Sequence, residues 1–142
     1  MGYLLLVIGT AVASIRSFED LECWRACRTL RLFVAREVVP HLPQEERFRL
    51  GDQLICAARS TTAQCSGTRR TLSFLDNAKF CSNARGSCRD VLDHLVTARD
   101  ELLISEERLV RGRELAELAV KNYLKRASST APRGAGPTPG NE

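Results

Sequence analysis

The stretch from Phe80 to Glu101 constrains the fold of this chain more than any other. Apolar or small residues recur in it, and just beyond its end, at alternating steps of three and four: Cys81, Ala84, Cys88, Val91, Leu95, Ala98 and Leu102. This spacing places them along one side of a helix. The charged residues Arg85, Arg89, Asp93 and Asp100 fall outside this stripe. The stretch therefore predicts a long helix that packs against other helices along one side.

The middle of this helix contains Gly86, followed by Ser87. Such a pair costs about 1 kcal/mol of helix propensity relative to better helix formers. A cost of this kind is commonly tolerated where a neighbouring helix must pass close to the backbone. We therefore expect a close helix–helix contact at Gly86.

The rest of the chain is also helical in its pattern. The 142 residues are 44% apolar, which suits one domain with a single core. Ala, Leu, Arg and Glu dominate, and no strand-like alternation is sustained. We predict an all-α fold, an antiparallel up-down four-helix bundle over residues 17–127.

Capping and breaking signals give the expected bounds of the four helices. Ser17, followed by Asp20, resembles an N-terminal capping box, and Ser105 resembles a second cap. The predicted helices run from this first cap to residue 39, over 44–66, over 72–103 and from 105 to about 127. Pro40 to Pro43 and Gly67 to Arg70 are the expected breaks between the first three.

Two terminal segments are expected to lie outside the bundle. Residues 1–16 are apolar but too short to span a bilayer, which takes about 20 residues, and they lack the basic start of a secretory signal. They are either a mis-assigned start or an apolar extension that packs on the bundle. Residues 128–142 are rich in Pro, Gly and Ser, which predicts a disordered tail. We expect a cytoplasmic protein without a membrane segment.

Six cysteines raise the possibility of disulfides or of a metal site. None belongs to a C-x-x-C pair, and His41 and His94 are the only histidines. All six cysteines fall within predicted helices, where a free thiol acts as a small apolar side chain. We therefore predict that they fill the core, with no metal and no cofactor.

No combination of residues predicts catalysis. A hydrolase needs a nucleophile, a base and an orienting group that the fold brings together, and the two histidines carry no such signature. Phosphate-binding glycine loops and metalloprotease motifs are absent from the sequence. We do not expect an enzyme.

Basic residues are concentrated in the middle of the chain. Between Arg47 and Arg89 there are eight basic residues against two acidic ones, a net charge of +6, and 18 of the 21 basic residues of the chain are arginine. Arginine makes forked contacts to phosphate, which favours an anionic partner. The candidate nucleic-acid-binding residues are Arg59, Arg69, Arg70, Lys79, Arg85 and Arg89. These residues would contact phosphates and would not select a sequence.

The abundance of arginine is equally compatible with a protein that has no anionic partner. A GC-rich genome enriches arginine and alanine together without any function. The basic residues would then form a solvated face, or Arg85 and Arg89 would pair with acidic residues of another subunit.

Three segments resemble one known family. The segments are QLICAARSTTAQ (Gln53–Gln64), DNAKFCSNARGSCRDVLDHLVTARDE (Asp76–Glu101) and the opening FEDLECWRACRTL (Phe18–Leu30). They are similar to the small four-helix-bundle proteins encoded in intervening sequences of large-subunit ribosomal RNA genes. Related bundles include accessory proteins of diversity-generating retroelements, which assist a reverse transcriptase. The resemblance implies a homopentamer with a basic surface suited to RNA or DNA, and no catalytic residues.

The chain departs from this family in one segment. Where the family usually reads Thr-Ala-Asn-Ile-Ala-Glu-Gly, Thr62 to Thr68 read TAQCSGT, with Gln64 in place of the asparagine and no glutamate. Any role of those polar groups at the end of the second helix or at a subunit contact is therefore altered.

Two hypotheses of function follow. The first is a non-enzymatic, oligomeric accessory protein that binds RNA or DNA electrostatically, with a reverse transcriptase as a candidate partner. The second is a protein–protein interaction bundle with no role in nucleic-acid binding. Salt separates them, because phosphate binding weakens steeply as salt rises and apolar docking does not.

Overall fold

The computed structural model describes residues 17–70 and 74–129, and these residues are almost entirely helical. A single 3₁₀ turn, Phe18–Asp20, precedes the first helix. The helices, in chain order, are α1 (Glu22–Phe33), α2 (Gln44–Arg47), α3 (Leu50–Arg70), α4 (Phe74–Asp100) and α5 (Glu106–Ser129). The four long ones form the predicted four-helix bundle, and α2 is a single turn before α3. The predicted apolar extension lies outside the described residues, as does the predicted tail apart from its first two residues. These two, Ser128 and Ser129, are helical, so the predicted start of the tail at residue 128 is wrong.

The predicted cap at Ser17 is confirmed, with one difference. Ser17 Oγ accepts from the Glu19 N–H and Asp20 Oδ2 accepts from the Ser17 N–H, each at 3.2 Å. These bonds cap the 3₁₀ turn, and the backbone then becomes extended at Leu21. The α1 helix therefore begins at Glu22 without a side-chain cap of its own.

The end of α1 is irregular because the helix widens before proline stops it. From Val34 to Val38 the backbone makes one π-helical turn, and a 3₁₀ turn that contains Pro40 follows. Val34 and Val38 are fully buried while the three residues between them are exposed. Residues four apart lie on one side of a helix, so both valines remain on the core side through the wider turn.

The predicted second helix differs from the structure at both ends. Its first turn is separate as α2, because a turn at Phe48 interrupts the helix before Leu50. At the other end, the break predicted at Gly67 is wrong, since α3 continues through it to Arg70. Glycine lowers helix propensity by about 1 kcal/mol but does not force a helix to end.

The core is built from one apolar stripe on each helix. On α4, six of the seven predicted residues are completely buried: Cys81, Ala84, Cys88, Val91, Leu95 and Ala98. On α3, five residues at helical spacing are buried: Leu50, Leu54, Ala58, Thr61 and Cys65. On α5, Leu118 lies outside the buried stripe and is 50% exposed. Tyr123, from the same helix, crosses the core and donates from its hydroxyl to the Thr61 carbonyl oxygen at 2.8 Å.

Leu102 is the exception on α4, because the helix ends before it. Its side chain is 78% exposed and its φ is 59°, in the left-handed region. The Leu103 N–H donates to the Ala98 carbonyl at 2.8 Å, and the Leu102 N–H donates to the Arg99 carbonyl at 3.0 Å. These two bonds form the Schellman motif that closes many helices, usually with glycine at the left-handed position.

The predicted close contact at Gly86 is also wrong. A Cβ placed on Gly86 would meet no other atom within 4 Å. The close approach occurs instead at Gly112 on α5, which is buried against Leu95 of α4 and Phe33 of α1. A glycine on α5 therefore lets three helices pack closely.

Contacts along the bundle indicate the direction of neighbouring helices. Cys23 at the start of α1 touches Cys65 near the end of α3. Glu22 forms an ion pair with Lys125, near the end of α5, at 3.6 Å. Arg99, near the end of α4, pairs with Glu106, at the start of α5, at 3.0 Å. These contacts agree with the predicted antiparallel packing.

The six cysteines are thiols and not disulfides, and five of them are buried in the core, as predicted. Cys56 is exposed, which corrects the prediction for that residue. In the described part of the chain, no group of His, Cys, Asp or Glu side chains is arranged to hold a metal ion. Nor does any helix there have the length and hydropathy needed to cross a membrane.

Candidate nucleic-acid interface

The contact between α3 and α4 places Arg59 at mid-bundle height. The hydroxyls of Ser60 and Ser87 lie 2.8 Å apart, and Ser87 also donates to the Asn83 carbonyl at 3.2 Å. Ser60 is then the donor between the two serines. Arg59, the neighbour of Ser60, is exposed on the outside of α3.

Arg85 and Arg89 lie one helical turn apart on α4, on either side of this serine contact. Arg89 is exposed and Arg85 is half-buried. The Nε of Arg85 is buried and has no hydrogen-bond partner among the described residues. Arg85 therefore offers only its two terminal nitrogens to a partner from outside.

Lys79 is exposed on the same helix but does not share their face. It precedes Arg85 by six residues, which at about 100° per residue turns it about 120° away around the helix axis. The structure thus brings Arg85 and Arg89 together, and it turns Lys79 away from Arg85.

Arg69 and Arg70 belong to the last turn of α3, where their backbone is helical. The predicted break that was to contain them is absent. Their side chains lie outside the part of the chain that the structure describes, so their role stays a prediction.

None of the four described candidates is neutralised by a carboxylate of the described residues. The ion pairs between described side chains join Arg25 to Asp20, Arg99 to Glu106, Arg111 to Glu114 and Lys125 to Glu22. Within residues 17–70 and 74–129, no acidic side chain lies within 4.0 Å of the charged nitrogens of Arg59, Lys79, Arg85 or Arg89. These four cations are therefore able to meet an external anion.

A shallow groove of about 320 Å³ between α4 and α5 begins at Arg89. Its floor is apolar, with Leu92, Val120 and Leu124, and its charged lining consists of Arg89, Lys121 and the acidic Glu117. Sequence patterns did not single out Lys121, because its place beside Arg89 depends on how α5 packs against α4. The groove combines an apolar base with a charged rim.

Trp24 lines a second groove, of about 480 Å³, on the outside of α1. Its ring packs edge-on against Phe18 with 5.5 Å between the ring centroids. Arg25 and Arg28 line the same groove, but Asp20 does too and pairs with Arg25 at 3.6 Å. Trp24 is half-buried and packs against the core.

The segment that differs from the usual family pattern, Thr62 to Thr68, begins at a residue that contacts another helix. Arg31 of α1 donates to Thr62 Oγ1 at 2.8 Å, and Thr62 is 5% exposed. Gln64 is half-buried on the same helix. The altered residues thus continue α3 without interrupting it.

A comparison with known protein families identifies the chain's relatives. A family model described as 23S rRNA-intervening sequence protein matches residues 19–124, which include α1 and extend into α5. No curated protein shows significant similarity to the chain.

Proposed function

Because this chain belongs to the family of 23S rRNA-intervening sequence proteins, we propose that it is a non-enzymatic accessory protein that binds RNA or DNA through its phosphates. The observation that carries the proposal is that the four described candidates have no acidic partner among the described residues: Arg59, Lys79, Arg85 and Arg89. Arg69 and Arg70 complete the proposed surface at the end of α3. Arginine suits this role because its planar fork matches two phosphate oxygens.

The proposed binding reads charge and not sequence. Arg85 and Arg89 hold adjacent phosphates from one face of α4, and Arg59 and Lys79 contact the strand on other faces. No cluster of exposed aromatic residues accompanies them among the described residues, so base stacking adds little. Such binding is strongly dependent on salt.

Within each subunit, the proposed arrangement of the four helices is antiparallel and up-down. The proposal also includes self-association of the subunits. Val110, Leu118 and Leu124 of α5 are each between 45% and 50% exposed, so this helix leaves three large apolar side chains partly in water. A second copy that covers them removes this apolar surface from water. The homopentamer implied by family resemblance multiplies the phosphate contacts, because each subunit contributes the same cations. A reverse transcriptase remains a candidate partner by the same resemblance.

A competing function is favoured by the groove between α4 and α5. Its apolar floor and charged rim suit an amphipathic helix of another protein, as in helix-in-groove recognition. In that case the bundle recruits a polypeptide and does not bind nucleic acid.

The deciding experiment measures binding of single-stranded RNA over a range of salt concentrations. Each phosphate contact to a single strand contributes about −0.7 to the slope of log K against log salt. The double variant R85Q/R89Q should therefore weaken binding at low salt and reduce the slope by about 1.4 per subunit that contacts the strand.

A matched control keeps the net charge equal. The variant R111Q/K125Q also loses two positive charges, but it loses them from cations already paired with Glu114 and Glu22. It should bind RNA nearly as well as the natural protein. Equal losses in both variants would reduce the effect to net charge and contradict the proposed surface. No salt-dependent RNA binding by the natural protein would leave the interaction bundle as the better account.

The mass of the protein by light scattering, at low and at high salt, tests the assembly separately. A stable pentamer is expected at both salt concentrations, with RNA mass added only at low salt. A monomer would contradict self-association but would not contradict RNA binding.

A further inference from the structure

Two buried thiols of different helices lie unusually close together. Cys23 Sγ of α1 and Cys65 Sγ of α3 are 3.0 Å apart, although 42 residues separate them along the chain. The next described thiol pair, Cys27 and Cys88, is 3.9 Å apart. A disulfide has an S–S bond of about 2.05 Å, so Cys23 and Cys65 need to approach by only about 1 Å.

We propose that Cys23 and Cys65 are a peroxide-sensitive thiol pair, which forms an intramolecular disulfide between the start of α1 and the last turns of α3. The proposal is independent of nucleic-acid binding. It concerns a reversible modification of the bundle core, with hydrogen peroxide as the oxidant.

The chemistry assigns different roles to the two sulfurs. The Cys23 thiolate attacks one peroxide oxygen, which breaks the O–O bond and gives a sulfenic acid and hydroxide. The Cys65 sulfur then attacks the Cys23 sulfur, and the hydroxyl group of the sulfenic acid leaves as water with the Cys65 proton. Two thiols have lost two electrons, and with their protons one peroxide has become two waters.

The surroundings of Cys23 favour it as the attacking thiol. The hydrogen bond from Cys65 lowers the pKa of Cys23 most, burial acts in the opposite direction, and the positive charge of Arg126 lowers it again, so that the net shift is downward. Cys23 also lies in the first turn of α1, where the helix dipole favours a negative charge. The pKa of Cys65 is raised by its hydrogen bond to Cys23 and by burial, so Cys65 remains the protonated donor.

The start of α1 also provides a route for the oxidant. Cys23 is 2% exposed, so peroxide reaches it only when the first turn opens. Leu21, which precedes this turn, has an extended backbone and provides no side-chain cap to it. Helix ends of this kind open locally at a much smaller free-energy cost than the whole fold. Cys27 and Cys88 lie deeper along the helices, where opening requires more of the bundle.

The experiment uses the full chain with Cys56, the exposed cysteine, replaced (C56S) to prevent disulfides between molecules. The protein is treated with hydrogen peroxide, denatured, alkylated at its remaining thiols and digested for mass spectrometry. A Cys23–Cys65 linked peptide is expected, lighter than the sum of its parts by two hydrogens. It should disappear on reduction, and the midpoint of thermal unfolding should be higher for the oxidised than for the reduced protein.

Two further variants in the same background identify the pair. C65S should leave Cys23 with no disulfide partner and remove the linked peptide, whereas C27S should form it as readily as C56S alone. Recovery of Cys23 and Cys65 both fully alkylated after peroxide would overturn the proposal. A dominant Cys27–Cys88 link would overturn it as well. The mapping in C56S decides the question even where C65S folds poorly.

Discussion

Gly112 and Gly86 provide a paired test of how closely the helices pack. Both are interior helical glycines, and replacement by alanine gains about 1 kcal/mol of helix propensity at either position. Around Gly86 a new Cβ meets nothing within 4 Å. At Gly112 it would overlap Leu95 Cδ1 and lie 3.1 Å from Phe33 Cε1. The two substitutions therefore differ in one respect, the space available for a methyl group.

The cost of G112A to stability follows from the burial of Leu95. This side chain is completely buried, so its methyl group cannot swing into solvent to make room. Overpacking of a filled core costs about 1–3 kcal/mol. We expect G86A to stabilise the protein by about 1 kcal/mol, and G112A to be about 1–3 kcal/mol less stable than G86A.

The assay is urea unfolding followed by the helical circular dichroism signal, analysed by linear extrapolation at one protein concentration. A fixed concentration matters because self-association adds to the measured stability. Equal stabilisation by both alanines would refute the steric argument. Greater destabilisation by G86A would refute it too, and would indicate that another subunit covers Gly86.

A double-mutant cycle separates steric overlap from other effects of G112A. The truncation L95A alone should cost about 2–5 kcal/mol, because it leaves a cavity. In that background only Phe33 Cε1, at 3.1 Å, still crowds the methyl group of G112A, so the same substitution should cost much less stability. An unchanged penalty for G112A in the presence of L95A would mean that Leu95 is not the obstacle.

Three further predictions concern stability. L102G should stabilise the protein by about 1 kcal/mol, because glycine adopts the left-handed backbone without strain and an exposed leucine is lost; unchanged or lower stability in urea unfolding would contradict this. S105A should destabilise it by about 1 kcal/mol, because the Arg108 N–H loses the Ser105 Oγ that accepts from it at 3.2 Å, whereas S105T should retain the cap. Burial raises the pKa of Tyr123. The contribution of Tyr123 to the free energy of unfolding is therefore fully present below the pKa of an unfolded tyrosine, about 10, and is lost as pH rises beyond it. The decline reaches about 1.4 kcal/mol per pH unit for this one group, and it should be shallower in Y123F when unfolding is compared at about pH 8 and about pH 11.

The sequence predicted the interior of the helices well because periodicity depends only on neighbouring residues. The stripe from Cys81 to Ala98 is buried in full. Its extension to Leu102 was wrong because the pattern continues by chance after the helix has ended. No glycine marks that end, and the left-handed turn is made by leucine against its ordinary preference.

Contacts between helices were less predictable because they depend on how each helix is rotated in the bundle. The expectation that Gly86 lies at a close approach, when Gly112 does, is of this kind. The same holds for the interface: the exposure of Arg89 follows from the stripe on α4, while the position of Lys121 beside it does not. The thiol contact of Cys23 with Cys65 also joins residues too distant in the sequence for any local pattern to relate them.

The family match confirms the resemblance carried by the three sequence segments. The relation to accessory proteins of retroelements, the pentamer and the cytoplasmic location stay predictions. Each is open to the measurements of mass and RNA binding, or to localisation of the tagged protein in cells.

The π-helical turn from Val34 to Val38 has a consequence for how this chain tolerates changes in length. A π turn holds one residue more than an α-helical turn over nearly the same rise. Removal of one of the exposed residues within it would convert it into an ordinary helical turn, with Val34 and Val38 still able to face the core. A deletion elsewhere in α1 would rotate every later side chain by about 100° and expose the valines. The widened turn is therefore the position in the first helix where the loss of a single codon would do the least harm.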